Sequence, residues 1–364
     1  MHISQSTKYR FPKSSGEDPG NVKNPKNAFS GNKKRGEEQH IYPQKLPAKY
    51  LGRHGQKTKN LNFICVSGTV ELLRKGKVKE VYADGNNLLF VFTDQISVFD
   101  KIIPSTIPHK GESLARTSEY WFRKAARLGI ENHLIELKQG NRMTVRRFKI
   151  IEGRAPKNES NYLVPLEFIV RYYVAGSLLD RIEKGKTNFV DLGFKSKPKY
   201  GEKLPEPLFE MTTKFEKTDR LLDVKEAMEI GGLESGDVDA IREMILKMDN
   251  EINREVLKRG LIHADGKKEF ALDGERKPVL VDTFGTADED RFWEKDEYER
   301  GVLVERSKEF VRQYYRNIGY YAKLMDARNA KSEEPPIPPL PDNIISETSK
   351  LYISLFERIT GQRW

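Results

Sequence analysis

Regularly spaced apolar residues occur in this chain only after about residue 60, and this division limits what the chain can fold into. Residues 1–60 carry 13 basic and 4 acidic residues, are rich in Lys, Gly, Asn, Ser and Pro, and lack a sustained apolar period. Such a segment cannot bury enough apolar surface to fold. We therefore predict a disordered basic extension over residues 1–60, followed by a globular part. An organelle-import peptide is the less favoured alternative, because Glu17, Asp18, Glu37 and Glu38 interrupt the basic run.

The net charge of +10 over 364 residues is typical of a nucleic-acid or membrane-surface binder. Without residues 1–60 the chain has 51 basic and 50 acidic residues, so the excess lies in the extension. We therefore expect the globular part to bind neither nucleic acid nor membrane, and we leave its oligomeric state open. The 37% of hydrophobic residues, the single Cys65 and the lack of an apolar run near ~18 residues predict a soluble, cytoplasmic protein.

The order of strand-like and helical segments predicts an α+β fold. Alternating apolar residues bounded by Gly and Asn turns indicate strands, the first of them an antiparallel meander, at residues 63–66, 78–83, 88–93, 143–151, 163–175 and 268–284. Apolar residues at steps of three or four predict helices at residues 114–128, 237–259, 296–328 and 342–359. Five prolines between residues 335 and 341 predict an extended spacer before the last helix.

Two lysines, Lys77 and Lys79, follow Gly76 at the entry to a predicted strand. Side chains two residues apart on a strand share a face, and neighbouring ammonium groups repel each other unless an anion lies between them. A polyphosphate would fit there. By itself, however, the spacing favours a solvated strand face.

Further charged residues follow or interrupt apolar strands. Asp94 follows the strand at 88–93, where it suits a loop cap, and Lys110 adds a cation beside a glycine. Glu167 and Arg171 share one face of the strand at 163–175, so they either pair with each other or serve a site. Ser177, after a glycine at the end of that strand, offers a hydroxyl to a phosphate oxygen.

Residues 265–282 predict a hairpin. If it is symmetric about Glu275 and Arg276, Glu269 lies opposite Asp282 with the Cβ atoms roughly 5 Å apart. Opposed like charges destabilise a hairpin unless a cation bridges them, and hard oxygen ligands favour Mg²⁺. Lys267 shares the strand face of Glu269. The alternative is a shifted register with two exposed carboxylates.

The loop after the hairpin carries Asp288 and Arg291. An arginine suits bidentate binding of phosphate or carboxylate. Asp288 either caps the following helix or serves the site.

Taken together, these segments resemble the SAICAR synthetase (phosphoribosylaminoimidazole-succinocarboxamide synthase) family. The resemblance covers about residues 63–330 and rests on five runs in the family's order and approximate spacing, at residues 76–82, 93–100, 164–177, 264–270 and 281–293. Five ordered motifs are far more specific than any one of them.

The resemblance implies a two-lobed fold. An antiparallel-sheet lobe would span residues 61–155, and a larger ATP-grasp-like α/β lobe residues 156–330. The proline-rich spacer and the last helix would form residues 331–364.

The resemblance also implies an ATP-dependent ligase of purine biosynthesis. Such an enzyme joins L-aspartate to carboxyaminoimidazole ribonucleotide, releases ADP and phosphate, and activates the carboxylate through an acyl phosphate. ATP and Mg²⁺ are the implied cofactors, and the two small-molecule substrates are the implied partners.

The family pattern suggests roles for the candidate residues. It implies that Lys77 and Lys79 lie at the ATP phosphates, and that Glu269 and Asp282 bind ATP and Mg²⁺. We assign Lys267 and Asp288 as catalytic, with Asp288 orienting the substrate or receiving a proton from the amine. The substrate-binding candidates are Asp94, Lys110, Arg171, Ser177, Lys214, Asp219 and Arg291.

Some positions depart from the family pattern. Gln95 replaces an arginine, Thr218 a histidine, Thr283 a glutamate and Ala287 a proline. Because the phosphate lysines and both metal carboxylates remain, we favour an active ligase. The alternatives are a small-molecule kinase on the same scaffold and a nucleic-acid binder that acts through its basic extension.

Overall fold

The computed structural model describes residues 71–216, 219–306 and 308–364. The predictions for residues 1–60, the strand at 63–66, Cys65 and Thr218 lie outside the described residues.

The strands of the described residues form two large antiparallel sheets and a hairpin. They are β1 Glu71–Lys75, β2 Lys79–Asp84, β3 Asn87–Phe92, β4 Gln95–Val98, β5 Lys101–Thr106, β6 Leu134–Lys138, β7 Arg142–Arg146, β8 Lys149–Ile150, β9 Tyr162–Leu163, β10 Leu166–Tyr173, β11 Lys203–Thr213, β12 Leu221–Leu222, β13 Leu261–Leu272, β14 Pro278–Val281 and β15 Asp290–Glu294.

The helices of the same residues are distributed between and after these strands. They are α1 Lys110–Arg127, α2 Ser177–Glu183, α3 Val224–Gly231, α4 Ser235–Leu257, α5 Lys295–Glu299, α6 Glu309–Asn317, α7 Tyr320–Ala330 and α8 Asp342–Thr360.

The first sheet has the strand order β1-β2-β3-β7-β6. The second has the order β12-β11-β10-β13-β9-β8, and β14 and β15 also pair with β13. Nearly all of these pairings are antiparallel, with a short parallel pair between β8 and β9. The α+β class predicted from the sequence is thus confirmed, while the division into two lobes and its boundaries remain predictions.

The hydrophobic core draws on both sheets and on the helices. One cluster of buried side chains includes Phe90 of the first sheet, Phe270 of the second, Trp121 of α1 and Tyr352 of α8. Helix α4 buries the apolar stripe that its period predicts, with Ile241 and Ile245 fully covered. Helix α4 covers the long strand β13. Charged side chains on the covered part of β13 therefore need partners of opposite charge.

The predicted helical region at 296–328 consists of the three helices α5, α6 and α7. Gly301 and Gly319 adopt left-handed backbone conformations, with φ of 76° and 75°, and they end α5 and separate α6 from α7. A glycine at such a position closes a helix without a Cβ penalty.

Candidate functional site

Strand β13 supplies three charged side chains to one region. Asp265, Lys267 and Glu269 alternate along the strand and therefore share a face. In the neighbouring strand β10, Arg171 pairs in register with Asp265 and Ile169 with Lys267. The strand therefore joins a lysine- and carboxylate-rich cluster around Lys267 to an arginine cluster around Asp265.

The predicted register of the hairpin is wrong by one residue. Glu269 pairs with Val281 and Leu272 with Pro278, and Asp282 follows β14 with φ of 62°. The turn has three residues between Asp273 and Lys277, because the Asp273 N–H donates to the Lys277 carbonyl oxygen at 3.0 Å. The guanidinium of Arg276 also donates to the carbonyl oxygen of Gly232 at 3.0 Å. Glu269 and Asp282 therefore do not face each other across the two strands. They are connected through a lysine instead, since Lys214 contacts Glu269 and also lowers the pKa of Asp282.

The lysine cluster contains Lys79, Lys214 and Lys267. Lys79 contacts Asp282, and Lys214 contacts Glu269. Lys267 Nζ lies 3.1 Å from Glu269 Oε1, and its other carboxylate partners are Glu167 at 2.7 Å and Glu289 at 3.2 Å. Three ammonium groups and four carboxylates thus occupy one region of the site.

The pKa values of this cluster are shifted by the surrounding charges. Burial opposes the charged form of Lys267, but the carboxylates of Glu289, Glu269 and Glu167 outweigh it and raise the pKa of Lys267. Burial likewise opposes the charged form of Asp282, but Lys79 and the two other lysines hold its pKa well below the usual range. Lys267 and Asp282 are therefore charged near neutral pH, and each has partners of opposite charge that a ligand could replace.

The donor set of the cluster fits a magnesium ion shared with a substrate. Mg²⁺ usually takes one or two protein carboxylates and completes its shell with water and phosphate oxygens. The carboxylates of Glu269 and Asp282 both raise the pKa of Lys214, so both carboxylates lie near the Lys214 ammonium. Among the described residues no group of three or more His, Cys, Asp or Glu side chains is arranged to hold a metal. The carboxylates thus suit Mg²⁺ bound together with ATP, rather than an all-protein metal site.

Lys77 lies apart from this cluster. It is in the turn before β2, so the prediction that it shares a strand face with Lys79 is wrong. The turn is closed by a hydrogen bond from the Gly76 N–H to the Lys79 carbonyl oxygen at 2.8 Å. The Lys77 ammonium forms an exposed ion pair with Asp100 at 3.2 Å.

The arginine cluster centres on Asp265. Arg171 donates to Asp265 at 2.7 Å and to Glu210 at 2.8 Å, and Arg291 also contacts Asp265. Arg171 and Glu167 therefore bind other partners, and the alternative of a pair between them is wrong. Ser177 accepts hydrogen bonds from Arg171 at 3.5 Å and from an arginine of α2 at 3.2 Å.

Gly176 allows Arg291 to approach the backbone at the start of α2. Its φ is 56°, and a Cβ atom at this position would lie 2.7 Å from Arg291 Nη2. A side chain at residue 176 would therefore displace the guanidinium.

Asp288 is buried in a third cluster. Its carboxylate lies 2.9 Å from Lys110 Nζ and 2.8 Å from Lys308 Nζ, and it accepts a hydrogen bond from the Tyr352 hydroxyl at 2.6 Å. Burial alone would raise its pKa, but these partners hold the pKa of Asp288 well below the usual range. The geometry thus opposes the predicted role of Asp288 as a proton acceptor. Lys110 is itself fully buried, which opposes direct contact with a substrate.

Two substrate-binding candidates lie at the margin of these clusters. Asp94 accepts a hydrogen bond from the Gly111 N–H at 2.9 Å, and so fixes the start of α1 beside Lys110. Asp219 is exposed, and its charge contributes to the raised pKa of Glu167, after burial and Glu269. Asp94 is thus a positioning residue in this structure, and Asp219 lies within electrostatic reach of the lysine cluster.

A small polar cavity opens beside Asp288. It has a volume of about 60 Å³, and its charged lining includes Glu289, Arg291, Lys308 and Arg312. Glu289, Lys308, Arg312 and Glu210 were not among the site residues predicted from the sequence. Lys308 and Arg312 are four residues apart at the start of α6, so their shared helix face could have been found from the spacing.

A buried network lies beside the loop between β14 and β15, which carries Asp282. Asp290 Oδ1 accepts from the Gly285 N–H at 2.8 Å, and its Oδ2 lies 2.7 Å from His263 Nε2. Lys268 Nζ lies 4.0 Å from the same oxygen and 2.5 Å from Asp249 Oδ1 of α4. These side chains are fully buried, so the Asp290–His263 contact and the Lys268–Asp249 ion pair hold the end of the loop and β13 in place.

No helix in the part of the chain that the structure describes meets the length and hydropathy of a membrane span.

Three comparisons bear on the family. A profile of the SAICAR synthetase family matches residues 72–327, which is more than half of the chain.

Curated relatives cover the same region. The phosphoribosylaminoimidazole-succinocarboxamide synthase of Thermoplasma acidophilum is 57% identical over 295 residues, which span 81% of this chain and 100% of that protein. The synthase of Thermoplasma volcanium is 58% identical over 295 residues, again 81% of this chain and 100% of the relative.

Among solved structures, the SAICAR synthase of Saccharomyces cerevisiae complexed with SAICAR has a TM-score of 0.64 and 27% identity. The match covers 82% of this chain and 97% of the yeast chain. The resemblance inferred from the five motifs is thus confirmed, and the chain belongs to the SAICAR synthetase family of purine-biosynthesis ligases.

Proposed function

We propose that this site uses ATP to join L-aspartate to the carboxylate of carboxyaminoimidazole ribonucleotide, forming the succinocarboxamide, ADP and phosphate. The observation that carries the proposal is the face of β13, where Asp265, Lys267 and Glu269 join a lysine cluster to an arginine cluster. The names of the relatives, and the product bound in the yeast structure, support the choice of substrates.

The lysine cluster is the proposed ATP side of the site. Phosphoryl transfer to a carboxylate concentrates negative charge, and positioned cations stabilise that charge best in a site that excludes water. Lys79, Lys214 and Lys267 are mostly buried and already oriented by carboxylates. We infer that they exchange those carboxylates for phosphate oxygens when ATP binds.

Glu269 and Asp282 are the proposed magnesium ligands. When bound, Mg²⁺ would neutralise charge on the phosphates of ATP. The two carboxylates are held in place by lysines, and the low pKa of Asp282 keeps its oxygens free of protons at neutral pH. Lys77, which is more exposed, is proposed to reach the outer phosphates.

The arginine cluster is the proposed site of the nucleotide substrate. Arg291 retains 26% of its side-chain exposure, whereas Arg171 retains only 6%. We infer that Arg291 and the Ser177 hydroxyl contact the substrate, and that Arg171 acts through Asp265 to orient Arg291. Lys110 and Asp94 are proposed to position this region. Asp288 connects Lys110 to Lys308 at the start of α6 and to Tyr352 of α8.

The neighbouring cavity is the proposed aspartate site. Aspartate brings two carboxylates, and the cavity offers the cations Arg291, Lys308 and Arg312. A cytoplasmic location remains a prediction.

An assay of ADP formation with ATP, carboxyaminoimidazole ribonucleotide and aspartate, each omitted in turn, tests the proposal. We expect full turnover only with all three substrates and Mg²⁺, together with formation of an amide product. Turnover that continues without aspartate and transfers phosphate to a hydroxyl acceptor would instead establish a small-molecule kinase.

A further inference from the structure

Amide formation from aspartate needs a group that takes a proton from the amine. At neutral pH the amine of an amino acid is an ammonium ion, which cannot attack a carbonyl carbon. Asp288, the acceptor suggested by the sequence, is only 3% exposed and is already bound by Lys110, Lys308 and Tyr352. Another carboxylate must therefore face the amine.

Glu289 lies where the two halves of the site meet. Its Oε2 is 3.2 Å from Lys267 Nζ, the lysine that also contacts Glu269 on the proposed ATP side. Its side chain is 23% exposed and lines the cavity that contains Arg291 and Lys308. The carboxylate thus borders both the proposed phosphate region and the proposed aspartate cavity.

The charges around Glu289 suit an exchange of partners. Lys267, on β13, is its ion-pair partner, and Glu167 and Glu269 share that lysine. The other charged residues that line the cavity are three cations and three acidic residues, namely Arg291, Lys308, Arg312, Asp288, Asp290 and Glu305. The ammonium group of aspartate is positively charged, like the Lys267 ammonium with which Glu289 already pairs. The two carboxylates of aspartate would contact the cations of the cavity.

We propose that Glu289 is the catalytic residue that takes a proton from the amine of L-aspartate. This inference rests on the proposed function. Glu289 takes one proton from the ammonium group, and the freed nitrogen attacks the carbonyl carbon of the acyl phosphate. The carbon–nitrogen bond forms, the carbon–oxygen bond to phosphate breaks with its electron pair on phosphate, and the second proton leaves the nitrogen with HPO₄²⁻. Glu289 then releases its proton to solvent.

Glu289→Gln tests the proposal in single-turnover measurements of ADP and of the amide product. General base catalysis contributes about 10²- to 10⁴-fold, so we expect amide formation to slow by at least ~10²-fold while the first burst of ADP keeps its wild-type rate. The rate of the variant should also rise by about tenfold per pH unit below the amine pKa, because only the deprotonated amine then reacts. The wild-type rate should depend less on pH over the same range.

Glu275→Gln is the matched control, because Glu275 is exposed in the β13–β14 turn and pairs only locally with Lys277. Glu289→Ala with added acetate is the second variant, and acetate should restore part of the amide rate if the carboxylate acts as a base. The proposal is overturned if Glu289→Gln forms amide within about threefold of wild type, or if ADP and amide formation slow together. If wild type itself shows no aspartate-dependent product, the proposed function fails as well.

Discussion

Replacement of Lys268 by Met tests whether a buried charge network fixes β13 to α4. Lys268 Nζ lies 2.5 Å from Asp249 Oδ1 and 4.0 Å from Asp290 Oδ2, and the three side chains are fully buried. Without the ammonium, Asp249 keeps the Tyr172 hydroxyl at 3.0 Å, and Asp290 keeps His263. The substitution therefore leaves buried carboxylate charge without its lysine partner.

Breaking a buried pair by removal of one partner costs about 3–5 kcal/mol, and we expect Lys268→Met to lower the free energy of unfolding by that amount. This is a large share of a total stability of about 5–15 kcal/mol. Urea unfolding of the full chain, followed by tryptophan fluorescence, provides the measurement, since Trp121 and Trp293 are buried.

The double variant Lys268→Met/Asp249→Leu separates the charge from the packing. Replacing both members of a buried pair with apolar residues is often neutral or stabilising, so we expect the double variant to recover most of the loss. Lys277→Met, at an exposed ion pair, should change stability by less than about 0.5 kcal/mol. A loss of less than about 1 kcal/mol in Lys268→Met would refute the reasoning, because it would mean that the buried carboxylates do not depend on the lysine.

Three further outcomes are expected. Glu269→Gln and Asp282→Asn should each abolish Mg²⁺-dependent ATP turnover without unfolding the protein, and near-normal turnover in either variant would remove its assigned role. Gly176→Ala should raise KM for the nucleotide substrate more than it lowers kcat, because the Cβ would displace Arg291 and the backbone φ is 56°; an unchanged KM would contradict this. Burial lowers the pKa of His133 to about 3, below its unfolded value near 6.5. Between these two pH values the unfolded state binds a proton that the folded state does not bind. The free energy of unfolding should therefore fall by up to about 1.4 kcal/mol per pH unit as pH decreases from 6.5 towards 3. His133→Phe should remove this part of the pH dependence in urea unfolding, and an unchanged profile would show that His133 is not its source.

The elements with strong apolar periodicity could be predicted from the sequence. Helix α4 was predicted at residues 237–259 and spans Ser235–Leu257, because its buried stripe is set by local spacing. The motifs around β10 and β13 identified Arg171, Lys267 and Glu269, and the structure brings all three into two adjoining clusters. Local patterns were sufficient where a strand or a helix face fixed the direction of the side chains.

The parts that failed depend on contacts between distant segments. The hairpin register was wrong by one residue because the turn has three residues and places Arg276 at φ of 63°, a conformation that no Gly or Asn marks at this position; in the structure Arg276 contacts Gly232 and Asp237, about 40 residues away in the sequence. The sequence did not indicate that Asp288 is enclosed, because its partners Lys308 and Tyr352 lie 20 and 64 residues further on. No local spacing reveals that a side chain will be enclosed by such partners.

The charged side chains of the site form ion pairs with one another, and in the proposed function substrates replace some of these partners. The globular part of the chain is close to neutral, yet three lysines and four carboxylates meet around β13, and two arginines share Asp265. In the proposed function each ammonium is already oriented when a phosphate binds, and the phosphate replaces one anionic partner of the ammonium by another. The proposed role of Glu289 follows the same arrangement, because this carboxylate pairs with Lys267 and also lines the cavity. The basic excess of residues 1–60 is not needed for any of these contacts.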